Sequence, residues 1–409
     1  MRVLRINDWT GPPGGTESYL RSVGRALEAE GHPQKTVSIT DAPSVSEYRP
    51  EPWEEVLPLA RMGPGRLAED LGAEPPGLLR LRRVVEEFHP DLVHVHHFDS
   101  WFVPLARLLS KLSVPTVLTA HDAKLVCPIA TLVLPDGRLC EGRILPRCQF
   151  TGCHVGLGIP YKLAQDRVFR RRVAPRVKLF IAPSRAAAQF LERHGFGPTQ
   201  VLAPFIDAPS SVETAPPALP NGEPTIGFLG RLETYKGPFS LLEAFAKARA
   251  RVPGLRLILA GRGSAEPALR ARARALGPET AQAVEFPGWV NGEEKERFFR
   301  RIHLLAVPSD GYENFGLVGL EAFVRGRPAL GSHLGGIPDW LEDGKQGRLL
   351  PPGDVAAWSE AIVESFADRK RMEEWGRRGR ERYVALFRPA AHVRGLLDAY
   401  HRVLDGPGK

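Results

Sequence analysis

The sequence is poor in methionine, asparagine, cysteine and lysine. Of 409 residues only three are Met, four Asn and four Cys, and Arg outnumbers Lys 44 to 11. Scarce thermolabile side chains fit a thermophile, and the arginine bias fits a GC-rich genome. No run of 18 or more uncharged apolar residues occurs, so no spanning helix is expected. Residues 1–10, MRVLRINDWT, lack the apolar stretch of a signal peptide, which leads us to expect a cytoplasmic protein. With 43% hydrophobic and 25% charged residues, the chain has the balance of a folded protein of two or three domains. The net charge of +8 allows anionic partners of any kind.

What is present is a repeated alternation of strand and helix. Arg2–Ile6 reads as a buried strand, Gly11–Gly15 as a glycine loop, and Leu20, Val23 and Leu27 as one face of a helix. That is how a doubly wound α/β unit opens. Further strands are expected at 91–95, 115–119 and 178–182, with helices at 101–112 and 161–172. Residues 40–77 hold seven prolines and read as irregular, with one short strand; residues 123–158 also read as irregular. Residues 207–224 have a linker's composition, with five prolines and an Asn-Gly pair. Alternation then restarts, with strands at 225–229, 255–260, 284–286, 304–307 and 329–332 and helices at 239–250, 267–276, 292–301 and 315–325. The expectation is two domains, 1–206 and 225–385, followed by a C-terminal helix at 386–409.

The second half carries the chemistry. Gly230-Arg231 through Lys236-Gly237 leaves a strand and enters a helix, and two cations beside a helix start suit a diphosphate. Two surface cations flanking a turn would read the same way. Downstream, Glu313 and Glu321 stand eight apart around Asn314-Phe315-Gly316-Leu317-Val318. Glu313 is expected in a loop and Glu321 about two turns down the helix. Carboxylates accept hydrogen bonds from the paired hydroxyls of a ribose or hexose, and amides from Asn314 to Gly316 would face an anion. A helix cap plus a buried, paired Glu is the structural alternative.

These segments resemble the signature of retaining glycosyltransferases of family 4. Other landmarks stand in the same order: Gly14-Gly15-Thr16-Glu17, His121-Asp122, Gly261-Arg262-Gly263, Phe286-Pro287-Gly288-Trp289-Val290 and Gly335-Gly336-Ile337-Pro338. The resemblance implies the α/β GT-B fold, two Rossmann-like domains facing an interdomain cleft, with the acceptor on the first and the nucleotide-sugar donor on the second. The last helix of that fold often returns to the first domain. The resemblance also implies roles. Arg231 and Lys236 would neutralise the departing diphosphate. Glu313 would contact the donor sugar, with Asn314, Phe315 and Gly316 nearby, and Glu321 would hold the ribose. Leu317 and Val318 would lie near the phosphates, Arg262 and Val290 near the base. Gly15 would let backbone approach the phosphates across the cleft, and His121 would sit near the sugar. Departure of the diphosphate then needs no metal cofactor. The implied reaction moves a hexosyl unit from a UDP- or GDP-sugar to a glycan or lipid-linked acceptor in cell-surface polysaccharide synthesis. A nucleotide-sugar epimerase of the same fold and a non-catalytic nucleotide- or glycan-binding protein are the rivals.

Cys127, Cys140, Cys148 and Cys153 are clustered, which suits a tetrahedral zinc with His154 as a reserve ligand. The spacing lacks close Cys pairs, so free or disulfide-paired thiols and an iron–sulfur cluster stay open. A subset of the resembled family carries a similar insertion after its His-Asp motif. Arg167, Arg170, Arg171, Arg172, Arg176 and Lys178 form a basic run without an acid. It reads either as a solvated face or as a peripheral contact with the anionic inner face of a membrane. No recognised nucleic-acid-binding module accompanies it, so nucleic acid is not expected.

Overall fold

The computed structural model describes residues 1–8, 15–40, 50–58, 76–97, 102–127, 129–134, 138–151, 153, 158–207 and 218–406. The chain forms two compact units. The first comprises Met1–Ala130, Glu141–Ala203 and Pro389–Lys409; the second comprises Thr131–Cys140 and Pro204–Arg388.

The first unit is built on a seven-stranded parallel sheet. Its strands are β1 (Val3–Asp8), β2 (Gln34–Thr40), β3 (Glu54–Pro58), β4 (Leu92–Val95), β5 (Thr116–Thr119), β6 (Val177–Ala182) and β7 (Thr199–Val201), in the order β3-β2-β1-β4-β5-β6-β7. Helices include Gly15–Ala29, Pro76–Phe88, Phe102–Leu109, Gly158–Val168 and Arg185–Arg193. Leu20, Val23 and Leu27 are buried, as their spacing on one helical face requires. Ser184 caps its helix by accepting a hydrogen bond from the Ala187 amide.

β1 is buried along its whole length, so its Arg5 is buried too. The guanidinium is accommodated by two 2.5 Å hydrogen bonds, to the Leu20 carbonyl and to Gln34 Oε1, and by the Trp53 ring at 5.2 Å. Burial lowers its pKa to about 10. The same feature explains β2, which the sequence reading omits. In QKTVSIT, Gln34, Thr36 and Ser38 are as buried as Val37 and Ile39. The polar residues survive burial because they are partnered, as Gln34 is by Arg5 and Ser38 by Glu54 at 3.4 Å. The C-terminal helix, Pro389–Asp405, belongs to this unit and seals its core with His392, Leu396 and Tyr400.

The second unit is built on six parallel strands: β8 (Thr225–Leu229), β9 (Arg256–Ala260), β10 (Val284–Gly288), β11 (Leu304–Val307), β12 (Ala329–Ser332) and β13 (Gly347–Leu350). Their order is β10-β9-β8-β11-β12-β13. The order reverses between β8 and β11, and ligands of such sheets bind outside the carboxyl ends of the strands at that point. Ile226, Leu257, Phe245 and Trp358 belong to its closed hydrophobic core. Residues 131–140 join this unit, whereas the sequence reading kept the whole of 123–158 with the first.

Candidate active site

β8 and β11 bring the expected donor residues of the second unit together. The loop after β8 holds Arg231 and Lys236; the loop after β11 holds Ser309 to Gly316. They meet closely. Gly237 has φ 72°, and a Cβ there would lie 1.8 Å from the Pro308 carbonyl oxygen. The Asp310 and Gly311 amides donate to the Tyr235 carbonyl at 3.0 and 2.7 Å. This contact places Lys236 Nζ 2.5 Å from Glu313 Oε2, which also accepts from Ser309 Oγ at 3.2 Å. Arg231 stacks over the Tyr235 ring at 5.6 Å and hydrogen-bonds its hydroxyl.

Glu313 is in a loop, as expected, but Glu321 is only one turn into its helix, not two. The helix begins at Leu317 because Gly316 takes a left-handed conformation, φ 88°. Its amino terminus is therefore formed by Gly316, Leu317 and Val318 rather than by Asn314 to Gly316. Glu321 Oε1 accepts from Lys295 Nζ at 2.8 Å. Arg325, one turn further on, donates to the Glu321 carbonyl at 2.7 Å and pairs with Glu296. The segment Gly335–Trp340 supports the Glu313 loop. The Gly336 amide donates to the Glu313 carbonyl at 2.8 Å, and buried Trp340 donates through Nε1 to the Phe315 carbonyl at 2.6 Å. Lys295 and Trp340 were missed from sequence. Trp340 follows the Gly335-Gly336-Ile337-Pro338 landmark; nothing in the sequence marks Lys295. Arg262 follows β9, where its carbonyl accepts from the Leu232 amide at 2.9 Å, and Val290 is buried just past β10.

In the first unit, Gly15 opens the helix after β1, and His121 stands just past β5. Its Nε2 is 2.9 Å from His96 Nδ1, and the His97 ring lies 5.0 Å away. His97 Nδ1 is 3.2 Å from Asn7 Oδ1, and its Nε2 is 3.7 Å from Asp122 Oδ2. His94, fully buried, is satisfied by Tyr400 at 2.6 Å and Thr119 at 2.7 Å. Tyr19 donates to His392 Nε2 at 2.7 Å, since His392 Nδ1 is spent on the Ala203 carbonyl at 2.8 Å. Burial, reinforced by neighbouring imidazoles, pushes the pKa values of His94, His96 and His121 well below the ordinary histidine value. All three are therefore neutral. The sequence reading singled out His121 alone.

None of the four cysteines is joined in a disulfide. Among the described residues no three thiol, imidazole or carboxylate groups gather closely enough to hold a metal. Cys140 is grouped with the second unit and the other three with the first. His154 lies outside the described residues. The basic run is partly committed. Arg170 pairs with Asp166 at 2.9 Å, donates to the His194 carbonyl and stacks on Phe196. Arg167, Arg171, Arg172, Arg176 and Lys178 are exposed. No helix among the described residues is long and apolar enough to cross a membrane.

Residues 13–208 match Glycosyltransferase Family 4, and residues 212–382 match Glycosyl transferases group 1. The chain is 29% identical to a D-inositol 3-phosphate glycosyltransferase of Mycolicibacterium smegmatis, covering 97% of this chain and 88% of that protein. It is 28% identical to the protein of that name from Salinispora tropica, covering 96% of this chain and 81% of that one. Sucrose-phosphate synthase of Thermosynechococcus elongatus shares the fold with a TM-score of 0.72 at 20% identity, over 99% of this chain and 100% of that one. Anabaena HepE, solved with UDP and glucose, gives 0.70 at 19%, over 98% and 99%. Two parallel α/β units of this topology and both family matches lead to one conclusion: the chain belongs to the family 4, group 1 glycosyltransferases and has the GT-B fold.

Proposed function

We propose that the protein is a retaining glycosyltransferase that takes a hexosyl unit from a UDP- or GDP-sugar and passes it to a hydroxyl of a glycan or lipid-linked acceptor. The observation that carries this reading is the meeting of Lys236 and Glu313, 2.5 Å apart, at the switch point of the second sheet. Cleavage of the anomeric bond leaves positive charge on the sugar and an added negative charge on the diphosphate. Lys236, Arg231 and the amides at the start of Leu317–Val324 oppose the second charge, and preorganised charge of this kind is usually the largest catalytic term. Glu313 faces the sugar and Glu321 the ribose hydroxyls. Arg262 and Val290 border the base, and His121 serves the transferred sugar. With its carboxylate engaged by Lys236 and Ser309, Glu313 is a poor covalent nucleophile. Attack on the same face, with the departing phosphate taking the acceptor's proton, accounts for retention without one.

The names of the relatives favour a second acceptor class, a soluble phosphorylated polyol. The exposed cations of Arg167–Lys178 suit an anionic membrane surface where the acceptor is lipid-linked. The test is nucleotide release from UDP- and GDP-sugars with and without acceptor, with the product's anomeric configuration read by NMR. Acceptor-dependent release and a retained anomer support the reading. Epimerised sugar, or tight binding without turnover, would replace it with one of the two rivals.

A further inference from the structure

His96 Nε2 is buried and has no hydrogen-bond partner among the described residues. Its other nitrogen, Nδ1, lies 2.9 Å from His121 Nε2. The two rings share a single proton along that line, because both are neutral. There are two ways to place it. If His121 Nε2 carries the proton, His96 must carry its own on Nε2, where a buried N–H donor meets nothing. If His96 Nδ1 carries it, His96 Nε2 keeps a bare lone pair, and the remaining N–H, on His121 Nδ1, is not among the buried unpartnered atoms. An unmet buried polar group costs about 1–3 kcal/mol. Backbone groups in native folds leave N–H donors unmet more rarely than acceptors. The second arrangement is the better one.

The rest of the pocket holds both rings in this pose. The His94 ring lies 4.0 Å from that of His96, and its two nitrogens are already satisfied by Thr119 and Tyr400. Tyr19 sets its ring edge-on to both His96 and His121, while its hydroxyl is spent on His392. The charged or titratable neighbours are Arg5, His94, His97, His392, Tyr19 and Asp122. Asp122 is directed to His97 and Lys124, at 3.7 and 3.9 Å, rather than to His121. His121 Nδ1 has no partner among the described residues.

We propose that His96 is a positioning residue that fixes His121 as the Nδ1-protonated neutral tautomer, so that His121 offers substrate an N–H donor and not a base. A donor at this place gives its proton to a sugar hydroxyl oxygen, whereas a bare nitrogen would have to accept the hydroxyl's own proton and reverse the bond. Relevance to transfer rests on the proposed role of His121; the tautomer does not.

The experiment is long-range 1H–15N correlation on the full chain labelled with 15N-histidine, with peaks assigned by their loss in His96→Leu and His121→Asn. The expected wild-type spectrum shows His121 Nδ1 with a pyrrole-type shift and Nε2 with a pyridine-type shift. In His96→Leu that preference should vanish or reverse. His96→Asn, whose amide can reach the Nδ1 position, should restore it. In parallel, kcat/KM should fall at least tenfold in His96→Leu, mostly in kcat, and recover to within a few fold in His96→Asn. A wild-type His121 protonated on Nε2 would overturn the proposal, and this result does not depend on any variant folding. An unchanged His121 tautomer in folded His96→Leu would overturn it as well. Loss of the tautomer with unchanged kcat/KM would support the assignment and refute the place given to His121 in the reaction.

Discussion

Lys236 Nζ and Glu313 Oε2 stand 2.5 Å apart although 77 positions separate them in sequence. The pair joins the two loops that leave the switch-point strands, and each residue holds the other in place. Lys236→Ala should therefore lose a cation and also release Glu313. A loss of 10²–10³ in kcat is expected, the size seen when one preorganised transition-state donor is removed. Steady-state kinetics of Lys236→Ala and Lys236→Arg check this. Lys236→Arg should recover part of the loss, and equal activity in all three proteins would contradict the account.

Two glycines set the spacing of these loops. At Gly335, φ is 57°, and a Cβ would lie 2.1 Å from the Glu313 carbonyl oxygen; at Gly237 the corresponding contact is 1.8 Å. Alanine at either position must displace backbone as well as adopt a strained conformation. Gly335→Ala should lower stability by about 1–3 kcal/mol and weaken donor binding by at least an order of magnitude. Denaturant unfolding and nucleotide titration measure the two effects separately. The exposed Gly344, φ 74° with open space around it, is the control, where only the conformational cost should appear.

Glu321 is oriented by Lys295 at 2.8 Å and anchored from behind by Arg325. If Glu321 holds ribose hydroxyls, Glu321→Gln should weaken UDP by about 1.5–3 kcal/mol, the size of a hydrogen bond to a charged group. The same substitution should leave a 2′,3′-dideoxy nucleotide unaffected. Calorimetry with both ligands checks this. Equal losses for both would remove Glu321 from the ribose.

Stability should fall in acid for a specific reason. Burial lowers the pKa of His392 to about 4, and burial with Arg369 and Arg327 nearby does the same for His303. Unfolded histidine titrates near 6.5. Between these values the unfolded chain binds more protons than the folded one, so stability is complete above about pH 6.5 and drains away as pH falls towards 4. Below that, these two groups add no further loss. His94, His96 and His121 contribute with the same sign. Denaturant midpoints from pH 7 to 4 should decline, and His303→Asn should flatten the decline. A pH-independent midpoint would contradict the buried neutral histidines.

The sequence was most legible where burial is simplest. Apolar strands such as Thr225–Leu229 and Leu304–Val307 have the bounds their composition suggests, because both faces are covered and no polar residue interrupts them. β2 was illegible because its buried polar residues look like a solvated segment until Arg5 and Glu54 are seen beside them. The Glu313–Glu321 spacing was legible, but the helix start was not, since it depends on the left-handed Gly316. Lys295, His94 and His96 could not be found from sequence, because their roles exist only through partners 25 or more positions away.

The central claim is that the second unit binds a nucleotide diphosphate through the loop that contains Lys236. The most direct measurement is the melting temperature against UDP, GDP, ADP and their sugars, for the wild type and Lys236→Ala. A ligand at 100 times its Kd should stabilise by about 2.7 kcal/mol. The account predicts that one nucleotide class raises Tm in the wild type and that Lys236→Ala abolishes most of the rise. No shift with any nucleotide at millimolar concentration, or a shift unchanged in Lys236→Ala, would contradict it.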